Sequence, residues 1–240
     1  MNAERSRGDE LVDYLLGSGA NDGKAANDLL KECFRGYPVE KLIPLLRSND
    51  SEVVKAGAFI VGELAAKARP LMPEIMRLLG HRERWVKCDM LEAVLLAATA
   101  QEGAVIARAV ELVNDPDREV ATKAFEFLAS AEHDHLTAAV PDITDPGLAA
   151  NLSWMLRSEG AADVGEIESR IEGQDALTRW IGTVAASREY FRNPKPLNRA
   201  AESRDEELRS FAADQRKWHE QERLRQQRRR ERARRQAAES

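Results

Sequence analysis

The hexamer VKAGAF that begins at Val54 returns as VKCDML at Val86 and as VATKAF at Val120, at intervals of 32 and 34 residues. Each copy opens on valine and closes on a bulky apolar residue, Phe59, Leu91 or Phe125, and the first two carry a lysine second, Lys55 and Lys87. Val54, Ala58, Val61 and Ala65 recur at helical spacing, and the acidic turn before them, NDSE, supplies N-cap residues. A second apolar helix follows each first one. Its anchors Leu78 and Leu79 recur as Leu112 and Val113, 34 residues on, and an earlier copy, Leu45 and Leu46, stands 33 residues before. The repeating unit is therefore a helix-turn-helix pair, which cannot bury its apolar face alone, so a fixed period of this length implies stacking into a solenoid. The pattern predicts Val54, Val86, Val120, Phe59, Leu91 and Phe125 in the interior, with Lys55 and Lys87 solvated.

Weaker copies extend the array both ways. Upstream, GKAANDLLKECF pairs with PVEKLIPLL behind a lone helix, DELVDYLL, that caps the N-terminal end; downstream, PGLAANLSWMLRSEG pairs with ADVGEIESRIEG and DALTRWIGTVAAS opens a further unit, the spacing falling to 28 or 29. The segment GSGANDG has no strand before it and no Lys-Ser or Lys-Thr after it, so it reads as a connector rather than a phosphate loop. Two prolines in NPKP, Asn193 to Pro196, end helical structure and mark a boundary. The expected architecture is all-α: a solenoid of about five helix pairs over residues 1–192, then a Pro-initiated, charged tail over 193–240 with an arginine-rich end, its long helix running from about 201 to 236. In that tail Leu208, Phe211 and Trp218 make one apolar seam that docks, while the arginine-rich end projects.

Composition narrows the function. The chain of 240 residues is 43% apolar, 32% charged and only 5% aromatic, a helix-rich globular balance. Its polar N-terminus and lack of any run of about 18 apolar residues argue for a cytoplasmic protein without a membrane span. Cys33 and Cys88 read as buried free thiols. The net charge of −5 is unevenly shared: from Arg216 to Ser240 ten bases oppose four acids, so a tail of +6 follows a body of −11. Such a body disfavours nucleic acid, leaving the tail residues Arg225, Arg228, Arg229, Arg230 and Arg232 as the anion-binding candidates.

The hexamers, the acidic turns RSNDSE and NDPDRE and the paired leucine anchors resemble HEAT repeats of the short bacterial type found in phycobilin-lyase-like proteins. Lys55 and Lys87 stand where that type has arginine, and the likeness covers roughly residues 22–190. GYPVEKLIPLLRSNDSEVVKAGAFIVGELAAKA and HRERWVKCDMLEAVLLAAT are similar to bacterial HEAT-repeat proteins regarded as immunity proteins of polymorphic toxin systems. That resemblance implies a protein partner, a basic toxin domain, and no catalytic residues.

A search for chemistry agrees. His133 and His135 lie two apart and face different ways on a helix, with no ligand cluster beside them, so neither metal nor cofactor is expected. No nucleophile elbow, zinc-protease helix or Cys-x-x-Cys occurs. Repeat type alone is a poor ground for a lyase. Trp85, Trp154, Trp180 and Asp89 could imitate the aromatic and carboxylate groups of HEAT-like DNA glycosylases, yet the acidic body opposes the DNA grip those need. What remains is a binding surface. Aligned second helices put Lys41, then Glu74 and Arg77, then Arg108 and Glu111 on a mixed-charge ridge, and the turn HRERW adds Arg82, Arg84 and Trp85, the last either exposed or packed on its own turn. The sequence thus points to a non-enzymatic protein-binding protein, an immunity protein in its most concrete form, with a scaffold acting through the arginine tail on an acidic partner or nucleic acid as the alternative.

Overall fold

The computed structural model describes residues 6–160 and 164–238, the side chains of residues 230, 234, 235, 237 and 238 excepted. Those residues form fourteen α-helices and no strand. The fold is an all-α solenoid with a long C-terminal helix, and its packing divides into two compact units, Met1–Ala149 and Ala150–Ser240. The Asn193–Pro196 break lies inside the second unit.

In the first unit α1 (Arg7–Leu16) precedes four pairs: α2 (Gly23–Phe34) with α3 (Ile43–Leu46), α4 (Ser51–Glu63) with α5 (Met72–Leu78), α6 (Arg84–Ala97) with α7 (Gly103–Glu111), and α8 (Arg118–Ser130) with α9 (His133–Ala139). First helices stack on first helices, α2 on α4 on α6 on α8, and second on second, α3 on α5 on α7 on α9. Two layers with one continuous core result, which is how units that cannot bury their own apolar faces reach stability. The acidic turns start the first helices: Asp50 accepts from the Glu52 amide at 2.8 Å, and Asp117 from the Glu119 amide at 3.0 Å.

Of the six interior positions expected, Val54, Val86, Val120, Leu91 and Phe125 are buried, whereas Phe59 is only half-buried. The reason lies two residues earlier. A Cβ on Gly57 would stand 3.0 Å from both Leu45 and Leu46, so α4 seats its backbone directly on α3, and Ile60 takes the interior place beside Phe59. Ala65, expected on the apolar stripe, lies beyond the helix with φ +49° and is half-buried. Cys33 is buried but Cys88 is only half-buried.

The repeated lysines are not solvated at the helix start. Lys87 reaches the next acidic turn and donates to Asp115 at 2.6 Å, with side chains 14% and 6% exposed, and Lys55 approaches Glu83 of its own next turn at 3.6 Å. Lys87 thus ties its helix to the turn 28 residues on, whereas Lys55 bonds Glu52 of its own helix at 2.8 Å and only approaches the equivalent turn.

In the second unit α10 (Pro146–Ser158) and α11 (Val164–Ile171) form a pair in which the Trp154 indole donates to Glu166 at 2.5 Å. Helix α12 (Ala176–Arg188) is the core element, buried continuously from Ile181 to Ser187. The prolines stop α12 only briefly: α13 (Lys195–Ala200) restarts with Pro196 in its first turn, where a missing amide costs nothing. Helix α14 (Glu206–Ala238) spans about 50 Å and packs on α12 and α13. Its seam buries Leu208 and Phe211, the latter against Trp180 at 5.2 Å, but Trp218 is 51% exposed and His219 takes the place expected for it. Helical phase explains the exchange, because the buried stripe of Leu208, Phe211 and Ala212 centres about 70° from position 218 but only about 30° from position 219.

Candidate binding surfaces

The ridge residues Lys41, Glu74, Arg77, Arg108 and Glu111 all lie in the first unit, and their charges are used between repeats. Glu74 is 4% exposed, clamped by Arg47 from the preceding turn and by Arg77 at 3.1 Å, and Arg77 also donates to the Leu46 carbonyl at 2.6 Å. The Arg47 guanidinium, ahead of the other contacts, holds the Glu74 carboxyl below its ordinary range. One repeat on, Glu111 accepts from the Thr144 amide at 2.9 Å and from Arg108 at 3.3 Å; burial would raise its pKa, and these bonds outweigh that and lower it. Lys41 bonds Asp9 at 2.7 Å, with the Tyr37 hydroxyl on the same oxygen at 3.0 Å. The acids are fasteners between turns, and the exposed groups on this face are Lys41, Arg77 and Arg108.

The turn before α6 is built differently. Trp85 is 56% exposed, resolving the two expectations in favour of solvent, and the Arg84 guanidinium lies 4.8 Å over its ring while bonding Glu119 at 2.9 Å. Arg82 is held only loosely, 3.7 Å from Glu83, with 78% of its side chain exposed. His81 fixes the turn by accepting from the Glu83 amide at 3.2 Å, and burial lowers its pKa. An aromatic face is thus presented to solvent already stacked by a cation, so little rotamer freedom remains to be lost on contact.

On α14, Arg225, Arg228, Arg229 and Arg232 are exposed; Arg225 lies 3.8 Å from Glu222, and the Arg230 side chain is outside those described. Sequence reasoning passed over the cluster at its root. Tyr190 stacks on His219 at 4.8 Å, while Phe191, 56% exposed, and Trp218 meet the same imidazole edge-on at 5.1 and 4.9 Å. The adjacent aromatic pair just before Asn193 was the available signal. His219 Nε2 lies 2.9 Å from the Ser187 hydroxyl, Nδ1 is buried without a partner, and burial lowers the imidazole pKa.

The remaining candidates are engaged where they stand. Trp154 is buried with Arg170 stacked 3.7 Å over it. An open cavity of about 840 Å³ in the second unit is lined by Arg179, Arg199 and Arg204 against Glu172, Glu202 and Asp205, a balanced set in which Arg179 pairs with Asp205 at 3.4 Å and Arg199 with Glu172. Among the described residues no group of three or more His, Cys, Asp or Glu side chains could hold a metal ion, and no helix is long and apolar enough to cross a membrane.

No protein-family model and no curated protein matches this chain. Solved structures do. An engineered protein from the Northeast Structural Genomics Consortium superposes with a TM-score of 0.53 at 17% identity, over 87% of this chain and 94% of that one. The archaeal HEAT-like repeats protein from Thermococcus onnurineus NA1 gives 0.48 at 13%, over 89% and 97%. At such identity the first likeness speaks to the fold alone, and that fold, an all-α stack of helix pairs, stands on the packing described above.

Proposed function

We propose that this chain is a non-enzymatic, cytoplasmic protein-binding solenoid and, in its most concrete form, an immunity protein that occludes a cognate basic toxin domain. The observation that carries the reading is Trp85, more than half exposed at an inter-repeat turn with Arg84 stacked on it and Arg82 beside it. Trp and Arg anchor protein interfaces because they bury large area at low entropic cost. Lys41, Arg77 and Arg108 then form the polar rim, held in place by Asp9, Glu74 and Glu111. The body's net charge of −11 speeds encounter with a basic partner more than it adds affinity, while the exposed cations Lys41, Arg77 and Arg108 on this face require acidic groups on that partner. The test is binding of the purified chain to a basic toxin domain encoded by a neighbouring gene. Trp85→Ala should weaken the complex roughly 30-fold or more, the scale of a hot spot. Unchanged affinity, or a toxin still active when saturated with the chain, contradicts the proposal.

A second reading, an adaptor that binds an acidic partner or nucleic acid through its tail, is favoured by a separate observation: Arg228, Arg229 and Arg232 are exposed and take part in no described ion pair.

A further inference from the structure

Three arginines of α14 share one face with Trp218, along with Glu222 at about +40° from it, whereas Arg223 and Arg228 fall at about +140° and −80°. Taking Trp218 as origin and advancing 100° per residue, Arg225, Arg229 and Arg232 fall at about −20°, +20° and −40°, so aromatic and cations share one stripe roughly 21 Å long. Trp218 is 51% exposed, and Phe191, which meets the same His219 ring, is 56% exposed, so two aromatic faces stand at the root of the cationic track. The cations between Trp218 and Ala233 are all arginines, at positions 223, 225, 228, 229, 230 and 232.

We propose that this stripe is a binding site for single-stranded nucleic acid, in which Trp218 and Phe191 stack on bases and Arg225, Arg229 and Arg232 take successive phosphates. It rests on the second reading of the tail and gives it a ligand class. Three features converge. A linear polyanion fits a linear track. Planar guanidinium forks grip phosphate oxygens bidentately and also stack on bases. Half-exposed aromatic rings beside such a track are the platform that sequence-tolerant single-strand binders use, since every base has a π-face. A carboxylate-rich protein segment would use the arginines but not the rings. The body's charge of −11 repels a polyanion from the first unit, which confines binding to the tail.

The experiment uses the full chain, a labelled single-stranded oligonucleotide of about 12 nucleotides, within the range of such sites, and polyglutamate and a duplex as competitors. Saturable binding is expected, with log K falling against log salt. Replacing Arg225, Arg229 and Arg232 by Gln should flatten that slope by about 2, at about 0.7 per phosphate lost. Trp218→Ala should raise Kd about 5- to 100-fold with the slope unchanged, and Trp218→Phe should recover most of it. All four side chains are exposed, so the substitutions leave the core intact. Indifference to Trp218→Ala, or tighter capture of the duplex, overturns the proposal. Polyglutamate displacing the oligonucleotide at equal charge also overturns it but upholds the acidic-partner reading; binding of neither overturns both.

Discussion

Lys87 and Asp115 form a pair so nearly closed to water that losing either partner strands a charge in a desolvated site. Removing one member of such a pair costs about 3–5 kcal/mol, whereas an exposed pair such as Lys24–Asp28 is screened by solvent and contributes little. Lys87→Ala or Asp115→Ala should therefore lower the thermal midpoint sharply, and Lys24→Ala hardly at all, as a calorimetric melt would record. Asp89 makes a pH-dependent contribution of the other sign. A Cβ on Gly62 would stand 3.2 Å from the Asp89 carbonyl, so α4 covers this residue closely; burial first, then Glu63 and Glu92, push its carboxyl up to about 7 against the opposing pull of Lys123. A raised carboxyl pKa means the folded state holds a proton that the unfolded chain releases, so the stabilisation is full below about pH 4 and is lost as pH rises to about 7. Asp89→Asn should stabilise the protein at pH 8 by on the order of 1–3 kcal/mol, solvent access to the half-buried group limiting the effect, and give no gain near pH 4. Equal melting shifts at both pH values would contradict this origin. At this scale the sequence was partly legible. It showed that a lysine recurs, but not that its partner lies 28 residues away, because only packing brings the next turn within reach.

Helix α14 shows what an element's pattern does and does not determine. Leu208 and Phe211 are legible as an anchoring seam, and the seven-residue spacing from Phe211 puts Trp218 with them; the buried stripe instead continues through Ala212 to His219, whose ring is flanked by Tyr190, Phe191 and Trp218. The two halves should separate in solution. Removing 223–240 deletes mainly exposed side chains and should leave the melting temperature nearly unchanged. Removing 201–240 uncovers α12 and α13 and takes away two core side chains that would each cost about 2–5 kcal/mol if truncated alone. Comparable melting of both constructs would show that the seam contributes nothing. His219 adds an independent handle: a buried imidazole with lowered pKa loses stability as pH falls below about 6.5, since the unfolded chain takes up the proton first. The Pro-initiated tail expected from residue 193 begins as the short helix α13, with Pro196 in its first turn, and the long helix starts only at Glu206.

For the whole molecule, the 32- to 34-residue period determined nearly everything about class, since stacked helix pairs are the economical way to bury such repeats. The ridge was legible as charge but not as use: sequence alignment of second helices cannot tell a solvated glutamate from Glu74, which two arginines enclose. Trp85 was legible as a candidate and undecided in exposure, because one residue's position beside a buried valine is compatible with either. The central claim is that a protein partner is captured on the first unit at the turn before α6. The most direct measurement is amide hydrogen exchange on the complex with a basic toxin domain encoded by a neighbouring gene. The account predicts slowed exchange across residues 81–89 and along α5 and α7, with exchange in α14 unaltered; slowing confined to α14, with residues 81–89 exchanging as in the free protein, would contradict it.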